Sequence, residues 1–200
     1  MKPDPYDYEM FLWSNGAAYC DEEGELDGNL NSDKSQEVFE MFQDMEKDGY
    51  AVSTEGNGTD EFRAESAAMY IYGSWSINDF KEDGLNFGLV DIPAFKDAGQ
   101  DSVSILSTSG IAMSKDSKHK EAAWEFVKFW TGEYASKIME KEEFAPFYTM
   151  LEQSSGYTPA SFIIEDWSEV SEALALSFEQ VFNPSSLQDV AEVLDAAVGK

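Results

Sequence analysis

Cysteine and histidine are almost missing from this 200-residue chain, with one of each, Cys20 and His119. A lone cysteine forms no intrachain disulfide and no thiolate zinc site, so the redox compartment stays open. Cys20 and His119 share no motif that would make a thiol nucleophile, and Cys20 reads as a small, half-buried residue. Basic residues are also scarce, 13 against 40 acids, a formal charge of −27. Such a field repels nucleic acid and anionic membrane surfaces and suits a solvated, soluble surface. No run of 18 apolar residues occurs, so nothing in the sequence spans a bilayer as a helix. The start, MKPDPYDYEMF, lacks the basic and apolar regions of a secretory leader. If the protein is exported, its signal lies outside this chain.

Several catalytic and cofactor patterns are missing too. GSWS is not a G-x-S-x-G elbow, and neither G-x-G-x-x-G nor G-x-x-x-x-G-K-[ST] occurs. A serine hydrolase or a phosphate cradle is therefore disfavoured. Among 40 acids a glycosidase pair exists on paper in any arrangement, so the carboxylates alone decide nothing. CDEEGELDGNLNSD matches a calcium loop only loosely: counted from Asp21, Leu26 stands where the turn needs glycine.

What is present is a core's worth of apolar residues, 42% of the chain with 14% aromatic. SDKSQEVFEMFQDMEKDGY sets Val38, Phe39, Phe42 and Met45 on one helical face, with a cap at Ser32 or Asp33 and a stop at Gly49. DSKHKEAAWEFVKFWTG, SEVSEALALSFEQVF and SSLQDVAEVLDAAVG repeat the pattern, the last opening on a capping box from Ser185 to Gln188. Phe39, Phe42, Trp124 and Phe178 read as core. MYIY (69–72), NFGLVDIPAF and VSILSTSGIAMS read as strands, the first buried on both faces because it has no polar alternation. Strands mixed with such helices give an α/β class, a mixed sheet flanked by helices.

Two tryptophans sit at segment ends among small polar residues: Trp13 before Ser14, Asn15 and Gly16, and Trp75 between Ser74 and Ser76. A flat ring with hydroxyl and amide neighbours suits a polyhydroxylated ligand; packing in a core is the alternative for both rings.

FRAESAAMYIYGSW, LNFGLVDIPAF and STSGIAMSKDSKHKEAAWEFVKFWTGEYASKIM occur in an order that resembles the C-terminal half of the extracellular solute-binding proteins of carbohydrate ABC importers, the maltose-binding-like group. FLWSNGAAYCDEEGEL resembles the aromatic segment before that family's Asn-Gly-Gly turn, with Ala17 in place of the second glycine; Glu65 replaces the glycine before the Ala-Met run. The resemblance runs from about Tyr6 to Leu194. It implies a type II periplasmic-binding-protein-like lobe in an incomplete two-lobe architecture. Residues 1–106 and 145–200 would form the second lobe, and 107–144 the strand and helices that complete the first.

It further implies capture of a sugar or oligosaccharide between lobes, without catalysis, cofactor or metal, and delivery to a membrane permease. Location would be extracellular, as a surface lipoprotein, or periplasmic. Trp75 matches the stacking tryptophan, Gly73 and Ser74 the backbone beside it, Trp13 and Asn15 the aromatic and amide before the glycine turn. Ser109 and Gly110 match a cleft-facing strand, and Tyr6 a further platform. Exposed interlobe surface would favour a dimer. The rival readings are a glycan-active enzyme with a carboxylate pair near Trp75, and an acidic protein-interaction module.

Overall fold

The chain's helices begin where its capping residues stand. In the computed structural model, which describes residues 4–51, 56, 58–106, 110–183 and 187–199, Asp4 accepts the Tyr6 N–H at 3.1 Å and Pro5 opens α1, Pro5–Ser14. Ser32 accepts the Ser35 N–H at 3.3 Å and opens α2, Asp33–Lys47, which ends at Asp48 before Gly49 at φ 76°. Short α3, Thr59–Arg63, and α4, Ile77–Glu82, follow. Then come α5, Lys120–Lys128, a π-helical turn at Phe129–Tyr134, and α6, Ala135–Met139. The chain ends with α7, Ala145–Ser154, α8, Ala160–Ile163, α9, Trp167–Val181, and α10, Val190–Ala197. The last starts later than the sequence pattern suggests: Asp189 caps it by accepting the Glu192 N–H at 3.1 Å. Ser185, half of the expected capping box, lies outside the described residues.

The core gathers α1, α2, α9 and α10 around aromatic rings. Tyr8 stacks on Phe182 with centroids 5.0 Å apart and meets Phe42 edge-on at 5.2 Å, while Phe39 and Phe178 approach to 4.7 Å. Val38, Leu174, Val181 and Leu194 fill the space between them and are fully buried. The faces expected of α2 and α9 are therefore the buried ones, with Met45 and Val170 packed at the rim. Trp124 is a correction: it is 54% exposed, and α5 buries none of its residues.

The mixed sheet is also corrected, because among the described residues there is no strand. The runs at 69–72, 86–95 and 103–106 have no regular secondary structure, and among the described residues no two of them exchange backbone N–H and C=O groups. Without a ladder several of their side chains stay in the open, Met69 at 87%, Ile71 at 53% and Val90 at 90%, whereas Val103 is buried and Ile92 and Phe95 pack against the core. Where such a segment is held, side-chain hydroxyls do it. The Val103 N–H donates to Ser14 Oγ at 3.0 Å, and the Ser104 N–H to Ser154 Oγ at 2.7 Å. The runs read as strands form none among the described residues, and the α/β class they implied does not form there.

One buried acid ties the ends of this core together. Glu9, 2% exposed, accepts the Ala160 N–H at 2.6 Å. Burial pushes its carboxyl up to about 7 from 4.5, the Ala160 hydrogen bond pulling the other way. The folded protein thus keeps a proton that the unfolded chain has released, and stability falls as pH rises through that window, by at most roughly 3 kcal/mol. At fixed ionic strength, Glu9→Gln should flatten this part of the Tm profile between pH 5 and 8. Parallel profiles for the two proteins would show that Glu9 does not titrate this way.

Candidate functional site

The stretch after α3 turns on Glu65, a non-glycine held at φ 55°, and runs extended through Tyr70 and Tyr72 to Gly73. Alternation puts the two tyrosines on one side, where their rings stack at 4.9 Å. Phe62 stacks on Tyr70 at 5.6 Å and meets Phe80 at 5.2 Å, and the Thr59 and Tyr70 hydroxyls lie 2.9 Å apart. This is a second aromatic nucleus.

At its edge the chain tightens into a 3-10 turn, Ser74–Ser76. The Ser76 hydroxyl donates to the Gly73 carbonyl at 2.8 Å, which fixes the turn, and buried Ile77 and Phe80 anchor α4 behind it. Trp75 is left outside, 66% exposed, edge-on to Tyr72 at 5.3 Å. Its indole lies back over Gly73 so closely that a Cβ there would fall on the six-membered ring. Glycine is required by this approach, not by its φ of −85°.

Trp75 and Tyr72 border an open depression of about 300 Å³ whose polar rim comes from Thr59, Asp60, Arg63 and Asp79. Arg63 donates to Asp83 at 2.7 Å and lies 5.6 Å over the Phe80 ring. A large exposed ring beside hydroxyls and carboxylates can hold the apolar face of a sugar and take its hydroxyl hydrogens.

The other expected residues are placed differently. Trp13 is 4% exposed, its ring 5.3 Å from Tyr157 and its carbonyl accepting from Gln100. Asn15 is buried and donates to the Lys34 carbonyl and to Glu37, both at 2.9 Å. Tyr6 is 44% exposed on α1, and Gly110 is exposed with nothing within 4 Å of a Cβ there. None of these four lines the depression. Ser109 lies outside the described residues. Sequence reasoning missed Tyr72, Asp60, Arg63 and Asp79; the signal for Tyr72 was its i, i+2 spacing from Tyr70, which puts both rings on one side of an extended run.

Elsewhere, burial pushes the Cys20 thiol up to about 11, away from nucleophilic use. His119 sits exposed at the start of α5. Asp21 accepts the Glu23 and Glu25 N–H groups at 3.0 and 2.9 Å, so it closes a turn. Among the described residues no three acids, histidines or cysteines are grouped to hold a metal, and no helix is long and apolar enough to cross a membrane.

Comparison with known proteins places this geometry in a family. The model of the bacterial extracellular solute-binding protein family matches residues 2–160, and the chain belongs to that family. A Brucella abortus protein named as a binding protein is 21% identical over 224 residues, covering 96% of this chain and 53% of its own. The galactooligosaccharide-binding protein of Bacillus subtilis is 30% identical over 81 residues, 40% of this chain and 19% of its own. Among solved structures, the maltose/maltodextrin-binding domain MalE of Bdellovibrio bacteriovorus, bound to maltotriose, matches with a TM-score of 0.69 at 20% identity. It covers 98% of this chain, which covers 57% of it. A cyclo/maltodextrin-binding protein complexed with maltotetraose gives 0.68 at 23% identity, covering 98% of this chain and 56% of its own. The chain thus spans little more than half the length of these proteins, and its path follows theirs although its extended segments do not pair. These proteins are named for binding, and the resemblance read from the motifs is correct at the level of the family.

The dependence of Trp75 on Gly73 is open to test. Gly73→Ala should swing the indole off the backbone and change the near-ultraviolet circular dichroism while leaving the far-ultraviolet spectrum intact. The change should vanish in a Trp75→Phe background; if it persists there, another ring is responsible.

Proposed function

We propose that this chain belongs to the substrate-capturing component of an ABC importer that takes up a sugar or oligosaccharide, held between two lobes. The single observation that carries the reading is Trp75, a ring left 66% exposed at the rim of a polar depression by a turn that fixes its backbone. Solvent exposure of so large a hydrophobe is unfavourable in the empty protein, and the apolar face of a pyranose relieves it. The oligosaccharides named for the Bacillus subtilis relative and the two solved structures support the same ligand class.

In this reading residues 1–106 and 145–200 form one lobe, and 107–144 contribute to the other. The absence of any buried residue in α5 supports that division, since such a helix has its packing partner elsewhere. Gly73 lets the Trp75 indole lie over the backbone, and Ser74 opens the turn that presents that ring to the sugar. Trp13 and Asn15 act from beneath by bracing α1, and Gly110 and Tyr6 face the ligand on closure. The loaded form docks on a membrane permease, outside the cytoplasmic membrane, as a surface lipoprotein or in the periplasm.

For this 200-residue chain by itself, the partner we assign to the α5 face is a second copy, lying where the other lobe would pack in a two-lobe protein. Phe126, Trp130 and Tyr134 form a ring stripe with centroid spacings of 5.8 and 4.8 Å. The segment around them, 115–141, holds six of the 13 basic residues against five acids, so copies repel least where this stripe meets its twin.

Calorimetric titration with maltotriose tests the ligand reading. Trp75→Ala should weaken binding by about 1–3 kcal/mol, as loss of a desolvated aromatic anchor does; unchanged affinity would remove Trp75 from the site. For the self-association, sedimentation velocity should show a concentration-dependent dimer that Trp130→Glu abolishes. A monomer at every concentration would end that assignment.

A further inference from the structure

We propose that the Trp75 depression selects sugars by charge, favouring an amino sugar whose ammonium lies against Asp60 and Asp79, binding neutral oligosaccharides more weakly and refusing uronic acids. This rests on the reading of the depression as a sugar site and names the ligand within that class.

The chemistry comes from what the rim groups already hold. Among the described residues Arg63 is the one cation on the rim, and its charge is matched by Asp83 at 2.7 Å. Asp60 and Asp79 line the same depression, both exposed, and among the described residues no ion pair or side-chain hydrogen bond engages either carboxylate. Two acceptor-only groups therefore stand beside the ring with no cation of their own. Each takes two hydroxyl hydrogens from a neutral sugar, but an ammonium offers three donors and a charge, and charge-assisted hydrogen bonds are the stronger kind. The Trp75 and Tyr72 faces favour a cation in the same direction.

Anions meet the reverse field. A carboxylate sugar faces Asp60 and Asp79 at close range and a body of formal charge −27 behind them, with Arg63 already engaged. In an open, water-filled depression the effect of each carboxylate is modest, up to about 5-fold, and it shrinks as salt rises. The order of preference, rather than the absolute affinity, is what these residues set.

The test is calorimetry on the full chain with four trisaccharides: the β-1,4 glucosamine trimer, cellotriose as its neutral twin, the C6-carboxylate derivative of cellotriose, and maltotriose. At low salt the glucosamine trimer should bind several-fold tighter than either neutral trimer, and the carboxylate should bind weakest. In the Asp60→Asn, Asp79→Asn double variant the advantage of the amine should fall several-fold, to the remainder left by the two rings and the overall charge, with cellotriose or maltotriose still bound. A glucosamine trimer no tighter than both neutral trimers, or an advantage undiminished in the double variant, overturns the proposal while neutral binding keeps the sugar reading. Binding of none of the four overturns both. A folded-state control by circular dichroism keeps loss of binding in the variant from being loss of structure.

Discussion

Everything in the larger half of the molecule hangs on the Tyr8 ring. It stacks on Phe182 and meets Phe42 and Phe178 edge-on at 5.2 and 5.7 Å, so one side chain of α1 touches both α2 and α9. Aromatic pairs of this geometry are worth about 0.5–1.5 kcal/mol each beyond their buried area. The contacts with Phe178 and Phe182 join residues more than 160 positions apart, so α1 is held in place by α9 as well as by its neighbour α2. α1 in turn carries Ser14, which takes the Val103 N–H, and Trp13, whose carbonyl takes Gln100. The extended segment at 102–104 is thereby positioned from the core although it has no strand beside it.

The smaller nucleus of Phe62, Tyr70, Phe80 and Phe87 does a different job. It buries Ile77 and Phe80 to 2% and 4% and leaves Trp75 out. At about 25 cal/mol per Å² and roughly 250 Å² for a large ring, the exposed two-thirds of Trp75 forgoes on the order of 4 kcal/mol of burial. No local gain offsets this: the turn beneath it costs a glycine, and Ser76 is committed to holding the Gly73 carbonyl. A side chain kept in so unfavourable a position by its own backbone is better explained by what it meets than by the fold it belongs to.

The helices were legible because their apolar spacing and caps agree: Val38, Phe39 and Phe42 behind Ser32, and Leu174, Phe178 and Val181 in α9. The sheet was misread because an apolar run states only that a segment prefers cover, and a ladder needs a neighbour whose position no local pattern carries. Trp124 failed for the same reason, its helical face being apolar but unmet. The two tryptophans show the limit most sharply. Trp13 and Trp75 have nearly the same small polar neighbours, yet one is 4% exposed and the other 66%. Ser14 and Asn15 turn inward to serve Val103, Lys34 and Glu37, so the polar residues beside Trp13 are structural. Glu65 is the converse case: the identity departs from the family's glycine, but φ 55° keeps the backbone conformation for which glycine is suited.

Rigidity at the site is therefore local in origin. A strand end would hold Trp75 through hydrogen bonds to neighbouring strands, and none is present among the described residues. The work is divided instead among a serine hydroxyl on the Gly73 carbonyl, two buried side chains one turn along α4, and an indole packed against its own backbone. Each contact lies within seven residues of the ring, so the platform's geometry depends little on the packing of the large core. What the core holds, through α1, is the segment at 102–104, by way of Ser14 and the Val103 N–H. Within the smaller nucleus the stretch from Ala64 to Gly73 joins Phe62 to the turn, and its strained residue is Glu65 at φ 55°.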